Sequence, residues 1–154
     1  MDNIKKRLAA AVLFWALTAA TMVMIFMFSS DTGEESAQLS GGLLARIIIY
    51  IGSAFSENTL RKLAHFTEFM SLGFFTAGGM YFSFNTRRPY APLIPCVLYA
   101  VSDEIHQYYI PDRACRVLDV FIDSCGSLAG ILIFLLILTL IKRTRAKNNK
   151  QDNG

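Results

Sequence analysis

The sequence has 154 residues, of which 53% are hydrophobic, and its mean hydropathy is +0.39. A chain of this length forms one domain, and so high an apolar fraction exceeds what the core of an ordinary soluble domain requires. The net charge of +3 comes from basic residues that are not interleaved with aromatic residues, so we expect no nucleic-acid partner.

Four segments have the low polarity of membrane spans, which as helices need about 20 residues each. In chain order they are residues 8–28, 64–84, 91–110 and 117–141. The first follows a basic stretch, as a signal peptide does, but its apolar run is too long for a signal core and no small-residue cleavage motif follows. We therefore predict an all-α integral membrane bundle of four transmembrane helices.

Two further segments complete the predicted organisation. Between spans one and two, apolar residues recur at helical spacing from Leu43 to Ile51, which predicts an extracytoplasmic interfacial helix. Its role is open, because it can shield the bundle or act as a lid. Residues 1–147 are expected to form a single membrane domain, and the polar residues 148–154 a disordered cytoplasmic tail.

The distribution of basic residues predicts the orientation of the bundle. Basic residues cluster in cytoplasmic segments of membrane proteins. One side would hold ten of them and the other five, so both termini are expected in the cytoplasm of a multi-pass cell-membrane protein. The first group is Lys5, Lys6, Arg7, Arg87, Arg88, Lys142, Arg143, Arg145, Lys147 and Lys150; the second is Arg46, Arg61, Lys62, Arg113 and Arg116.

This orientation brings the polar residues of three spans to the outer leaflet. Asp119 and Asp123 are four residues apart on one helical face, which Gly126 and Gly130 continue, so small residues there should let that face approach another helix closely. We predict an outward-facing pocket at this end of the bundle. Its expected residues are Arg61, His65, Glu68, Asp103, Glu104, His106, Gln107, Arg113, Arg116, Asp119 and Asp123.

Several segments resemble the VanZ-like membrane proteins. They are "FSSDTGEESAQLS", "LRKLAHFTEFMSLG", "VSDEIHQYYIPDR" and "LDVFIDSCGSLAG", and they occur in the order of that family between residues 26 and 131. The chain departs from the family pattern at Phe69, Asp112 and Ser127, where tyrosine, glycine and alanine are common. The resemblance implies a four-span fold associated with low-level resistance to glycopeptide antibiotics, teicoplanin above all, and it implies no established chemical mechanism.

The polar residues have a structural explanation beside the functional one. His65 and Glu68 have the one-helix spacing of metal ligands, and also that of a simple hydrogen-bonded pair. Asp119 and Asp123 can bind arginines in a purely structural network. Ionisable residues inside a membrane are costly, however, which favours a functional pocket.

Two function classes remain open from the sequence. An accessory resistance factor would contact membrane lipids and bind a lipid-linked cell-wall precursor or the glycopeptide; arginines would recognise its anionic groups, and acids would hold a bridging divalent cation. An intramembrane enzyme would use the acids and histidines for acid–base or metal-dependent chemistry on a lipid headgroup, although no nucleophile with a base stands out. A proton-coupled transporter is disfavoured because the polar residues do not cross the membrane.

Overall fold

The computed structural model of the chain describes residues 2–30, 57–110 and 116–151, and every regular element in these ranges is an α-helix. Helix α1 spans Asp2–Ser30, α2 spans Glu57–Phe84, α3 spans Tyr90–Tyr108 and α4 spans Val117–Gln151. The all-α fold class is therefore confirmed. The interfacial helix expected around residues 43–51 lies outside the described residues.

The helix ends differ from the predicted spans at several points. Helix α4 continues to Gln151, so residues 148–151 are helical where a disordered tail was expected. Residues 142–151 contain five basic residues, and basic side chains near the C-terminus of a helix are stabilised by the negative end of the helix dipole. Helix α1 likewise begins at Asp2, before the apolar run.

Helix α2 ends where the backbone turns at Asn85. Asn85 has a positive φ of 55°, and its backbone N–H donates to the backbone carbonyl oxygen of Tyr81 at 2.9 Å. A left-handed residue of this kind closes a helix by satisfying one of its last carbonyl groups, and asparagine adopts that conformation more readily than most residues. A short connection then leads to α3, which begins directly after Pro89.

Helix α2 is the centre of the bundle and packs against the other three helices, most extensively against α4 and α1. One apolar core contains Ile25, Phe69, Leu72, Cys96 and Ala100. A second core, nearer the other end of the bundle, is formed by Ala77, Ile131 and Phe134 together with surrounding aromatic residues. The two cores lie between the two ends of the bundle, where polar side chains are found.

Glycines allow α2 and α4 to approach each other at backbone distance. A methyl group at Gly126 would overlap the carbonyl oxygen of Phe66, and one at Gly130 would overlap that of Met70. The face that continues from Asp123 is therefore buried against α2, as the spacing predicted. This close approach fixes the depth at which the acids of α4 meet those of α2.

Apolar residues cover much of the outside of the bundle. Within the described residues, two helices are long and apolar enough to cross a membrane, over Asn3–Ser30 and Val117–Asn149. The other two, α2 and α3, fall short of this criterion because polar and small residues lower their hydropathy. Large side chains such as Val12 and Leu136 are more than half exposed. These features are consistent with a membrane protein.

The close packing at Gly130 predicts a change in stability opposite in sign to the change that helix propensity alone predicts. Alanine at an exposed helix position stabilises by about 1 kcal/mol relative to glycine. For Gly130→Ala we expect the reverse, a destabilisation of about 1–3 kcal/mol, because the new methyl group overlaps the α2 backbone. Thermal unfolding in detergent measures the change.

The matched control is Ala146→Ser, which also adds one heavy atom to α4 but at an exposed position. It should leave the melting temperature nearly unchanged. A Gly130→Ala protein as stable as the wild type would show that the two helices are farther apart than the structure has them.

Candidate functional site

The described residues of the predicted pocket lie at one end of the bundle, where α1 and α3 end and α2 and α4 begin. We call this the acid end, and its five acids the acid cluster: Glu68, Asp103, Glu104, Asp119 and Asp123. Asp123 is 2% exposed, and its carboxyl group lies within electrostatic range of the other four. Three helices therefore bring their acids to one place, as the predicted orientation required.

Asp103 is bound by side chains from two helices. Ser29 Oγ donates to Asp103 Oδ2 at 2.9 Å, and Gln107 Nε2 donates to the same oxygen at 2.8 Å. Gln107 Nε2 also lies 3.3 Å from Ser29 Oγ, which closes a three-membered network. All three residues are buried. The network joins the end of α1 to α3, and the bond within α3 follows from the spacing of four residues.

His106 makes a second connection from α3 to α1. Its Nε2 lies 3.0 Å from Ser30 Oγ, and its ring stacks on Phe26 with centroids 4.5 Å apart. The stacking fixes the plane of the imidazole, and the serine hydroxyl can either donate to it or accept from it. His106 is thus oriented at the α1 side of the acid end.

Glu104 faces the start of α4. Its Oε2 accepts the backbone N–H of Arg116 at 2.9 Å, and α4 begins at the next residue. The N-terminus of a helix has unpaired N–H groups and a partial positive charge, both of which stabilise a carboxylate there. The buried position of Glu104 is therefore explained by the helix that follows it in the chain.

The two partly buried acids contact α2 side chains. Lys62 Nζ forms an ion pair with Asp119 Oδ1, linking α2 to α4. His65 Nδ1 lies 3.5 Å from Glu68 Oε2, and both side chains are 14% exposed. The histidine–glutamate pair predicted from its spacing therefore does meet on α2, close to the carboxyl group of Asp123.

The two arginines of the predicted set that the structure describes, Arg61 and Arg116, lie at the rim of the site. The side chains of Arg61 and Arg116 are exposed at the acid end, and only the backbone of Arg116 contacts an acid. Arg113 lies outside the described residues. The structure thus brings together the predicted acids, histidines and glutamine, and places the two described arginines at their rim.

Three polar residues of the site were absent from the predicted set. Ser29 and Ser30 contact Asp103 and His106, and Lys62 contacts Asp119. The serines belong to the "FSSDTGEESAQLS" segment, whose resemblance to the family was a usable signal. Lys62 is three residues before His65, so helical spacing alone would have placed it on the same face.

The described residues offer no obvious metal centre. Among residues 2–30, 57–110 and 116–151, no group of three histidine, cysteine, aspartate or glutamate side chains could share a metal ion. The described side chains of the site are hydrogen-bond acceptors and donors, one ion pair and two imidazoles.

The Ser29–Asp103 bond predicts a loss of stability when the hydroxyl is removed. Ser29→Ala should lower the free energy of unfolding by about 0.5–2 kcal/mol, because Asp103 loses a buried donor from α1. Ser71→Ala is the matched control, since the Ser71 hydroxyl bonds only its own helix at Thr67. Unfolding in detergent should separate the two variants, and equal stabilities would argue against the link between α1 and α3.

Comparison with known proteins identifies the family. A search of curated proteins and a search of solved structures gave no match to the chain. A family model described as VanZ/LLP1 matches residues 14–138, which include all of α2 and α3, most of α1 and α4, and the whole acid cluster. The chain belongs to the VanZ/LLP1 family.

Proposed function

We propose that this protein is an integral membrane protein of four spans that acts at the outer membrane face as an accessory factor in low-level glycopeptide resistance, with teicoplanin as the main antibiotic. The observation that carries the proposal is the convergence of four acids on a fifth, Asp123, at one end of an apolar bundle. Ionisable residues are rare within membrane spans and mark functional sites there. Family membership supports the link to resistance.

The proposed topology rests on the charge difference between the two ends. The acid cluster occupies one end, whereas Lys6, Arg7 and Lys142 lie towards the other. Basic segments remain in the cytoplasm, so the acid end is outside and both termini are inside. Exposed apolar side chains on all four described helices suit a lipid environment along the length between.

The proposed ligand is the headgroup of a lipid-linked cell-wall precursor. Such a headgroup carries phosphates, sugar hydroxyls and peptide N–H groups. Carboxylates accept hydrogen bonds from hydroxyl and N–H donors, while the guanidinium groups of Arg61 and Arg116 can bind phosphate oxygens from the rim. The acids of the cluster, with arginines at their rim, therefore suit the two kinds of group in this ligand class.

A second candidate is an intramembrane enzyme that acts on a lipid headgroup by acid–base chemistry. The specific observation in its favour is the partly buried His65–Glu68 pair beside Asp123. An imidazole next to a carboxylate can take and return a proton. Analysis of lipid extracts distinguishes the two candidates, because an enzyme converts its lipid and a binding protein leaves it unchanged.

Drug susceptibility tests the proposed function. Expressed in a sensitive Gram-positive host, the wild type should raise the teicoplanin concentration that stops growth, and Asp123→Asn should return it to the level of the empty vector. The amide keeps the shape of the carboxyl group but replaces one of its oxygens by an NH2 donor, so it weakens recognition of ligand hydroxyl and N–H groups without adding bulk. Vancomycin is titrated in parallel, and membrane levels are matched.

Two comparisons make the result decisive. Asp2→Asn, at the first residue of α1, makes the same chemical change away from the acid cluster and should keep full protection. The melting temperature of Asp123→Asn should not fall, since the amide has nearly the same volume and its NH2 group can donate to the neighbouring acids. Full protection by Asp123→Asn, or no protection by the wild type, would contradict the proposal.

A further inference from the structure

The end of the bundle opposite the acid cluster contains a cavity of about 490 Å³, which the proposed function does not use. It lies between the start of α1 and the end of α2. We call it the basic cavity, and its lining residues are Asn3, Lys6, Arg7, Tyr81, Phe82 and Asn85. Its volume falls within the range of roughly 300–1,000 Å³ that is typical of small-ligand sites.

Basic groups from three parts of the chain surround the basic cavity. Lys6 and Arg7 line it from α1. Lys142 of α4 has its Nζ 5.2 Å from the centre of the Tyr81 ring, and both Lys142 and Arg87 act electrostatically on the Tyr81 hydroxyl. By contrast, the sequence has no acid in residues 75–95 or 130–151. The charge around the cavity therefore favours an anion.

Arg7 is held in a geometry suited to such a ligand. Its Nε donates to the backbone carbonyl oxygen of Phe82 at 2.7 Å, across the α1–α2 interface. A guanidinium group has five N–H donors, and this bond uses one of them. The fixed plane leaves the terminal nitrogens in the fork arrangement that binds two phosphate oxygens.

Apolar side chains beside the basic cavity point to an amphiphile instead of a free anion. Ile4 and Leu8 of α1 are 74% and 64% exposed, and Phe84 of α2 is 73% exposed. They adjoin the lining residues in sequence and offer a surface on which acyl chains can lie. A free phosphate ion has no apolar part that could contact this surface.

We infer that the basic cavity binds the phosphate headgroup of an anionic phospholipid from the cytoplasmic leaflet. The inference rests on the membrane topology of the proposed function, but not on glycopeptide resistance. Basic pockets between helices on the cytoplasmic side are suited to anionic headgroups, and the cytoplasmic leaflet is rich in them. The bound lipid would join α1 to α2 at the end where no buried acids connect the helices.

The only tryptophan of the chain is placed to report this binding. Trp15 packs on Gly79, and its Nε1 donates to Ser83 Oγ at 3.0 Å, so it lies on the same α1–α2 interface as the cavity. It is eight residues from Arg7, which corresponds to about 12 Å along a helix. A bromine atom in the acyl chain of a lipid whose headgroup occupies the cavity can therefore quench Trp15 fluorescence.

The experiment uses the full chain in phosphatidylcholine vesicles. Brominated phosphatidylglycerol or brominated phosphatidylcholine is added at equal mole fractions. The wild type should show stronger quenching by the anionic lipid. Lys6→Gln and Arg7→Gln should each reduce this preference about tenfold, because each would remove a charge-assisted hydrogen bond to the phosphate group.

Arg143→Gln is the matched control, because it removes the same charge from an exposed position on α4 that does not line the cavity. It should keep the wild-type preference. Equal quenching by both lipids, or an equal loss in Arg143→Gln, would overturn the inference. So would competition by inorganic phosphate beyond the effect of sodium chloride at the same ionic strength, since this would assign the cavity to a water-soluble anion.

Failure of this inference is distinguishable from failure of the proposed function. A protein that does not float with the vesicles contradicts membrane insertion, and with it both proposals. A protein that floats but shows equal quenching contradicts the lipid site alone. The susceptibility of the host to teicoplanin is measured separately and does not depend on Trp15.

Discussion

The burial of carboxylates between apolar helices is the constraint on which the acid end depends. A buried carboxylate is tolerated only where hydrogen-bond donors or opposite charges satisfy it. In this bundle several of these partners come from a neighbouring helix or from the segment that leads into it. Asp103 accepts from Ser29 of α1 as well as from Gln107 of its own helix, and Glu104 accepts from the backbone N–H that precedes α4. Asp103 and Glu104 are therefore also contacts that fix how the helices meet.

The close packing of α2 and α4 provides the frame for these contacts. Glycines at positions 126 and 130 bring the α4 backbone against that of α2. The register that results places Asp123, one turn before Gly126, next to the acids of α2 and α3. Small residues and buried acids on one helical face thus act together. The glycines let the two helices approach closely, and the acids occupy the space at the end of this helix contact.

The two ends of the bundle also differ in their chemistry. The acid cluster lies at one end and the basic cavity at the other, with two apolar cores between them. The ends are connected through different pairs of helices. At the acid end Ser29 joins α1 to α3, whereas at the basic end Arg7 joins α1 to α2. We propose that the first end recognises a ligand outside the membrane and that the second anchors the bundle to the inner leaflet.

The sequence was sufficient to predict the helices and most of the acid cluster, because both depend on the spacing of residues along a helix. The pair His65 and Glu68, and the face that runs from Asp123 to Gly130, follow from 3.6 residues per turn. The contacts of Ser29 and Ser30 could not follow in this way, since they depend on how the end of α1 meets α3. Phe69 is an instructive departure. It is fully buried in an apolar core, where a tyrosine hydroxyl would need a partner.

The exposure of the arginines shows a further limit of spacing arguments. Arg61 is four residues before His65, a spacing that puts both on one helical face, and it was predicted to line the pocket, yet its side chain is exposed. A long side chain at a helix end can keep its charge in a polar environment while its stem lies along the helix. Spacing specifies the direction in which a side chain leaves the backbone, and the length of the side chain decides where its charge lies.

Direct binding of a lipid-linked cell-wall precursor is the measurement that tests the central claim most directly. Purified protein in detergent is titrated with the precursor, and the same titration is made with Asp123→Asn. The account predicts saturable binding by the wild type and an affinity about tenfold lower in the variant, the loss expected when a hydrogen-bond acceptor used by the ligand is replaced by a donor. Folded wild-type protein that does not bind the precursor, or a variant that binds it equally well, would contradict the account.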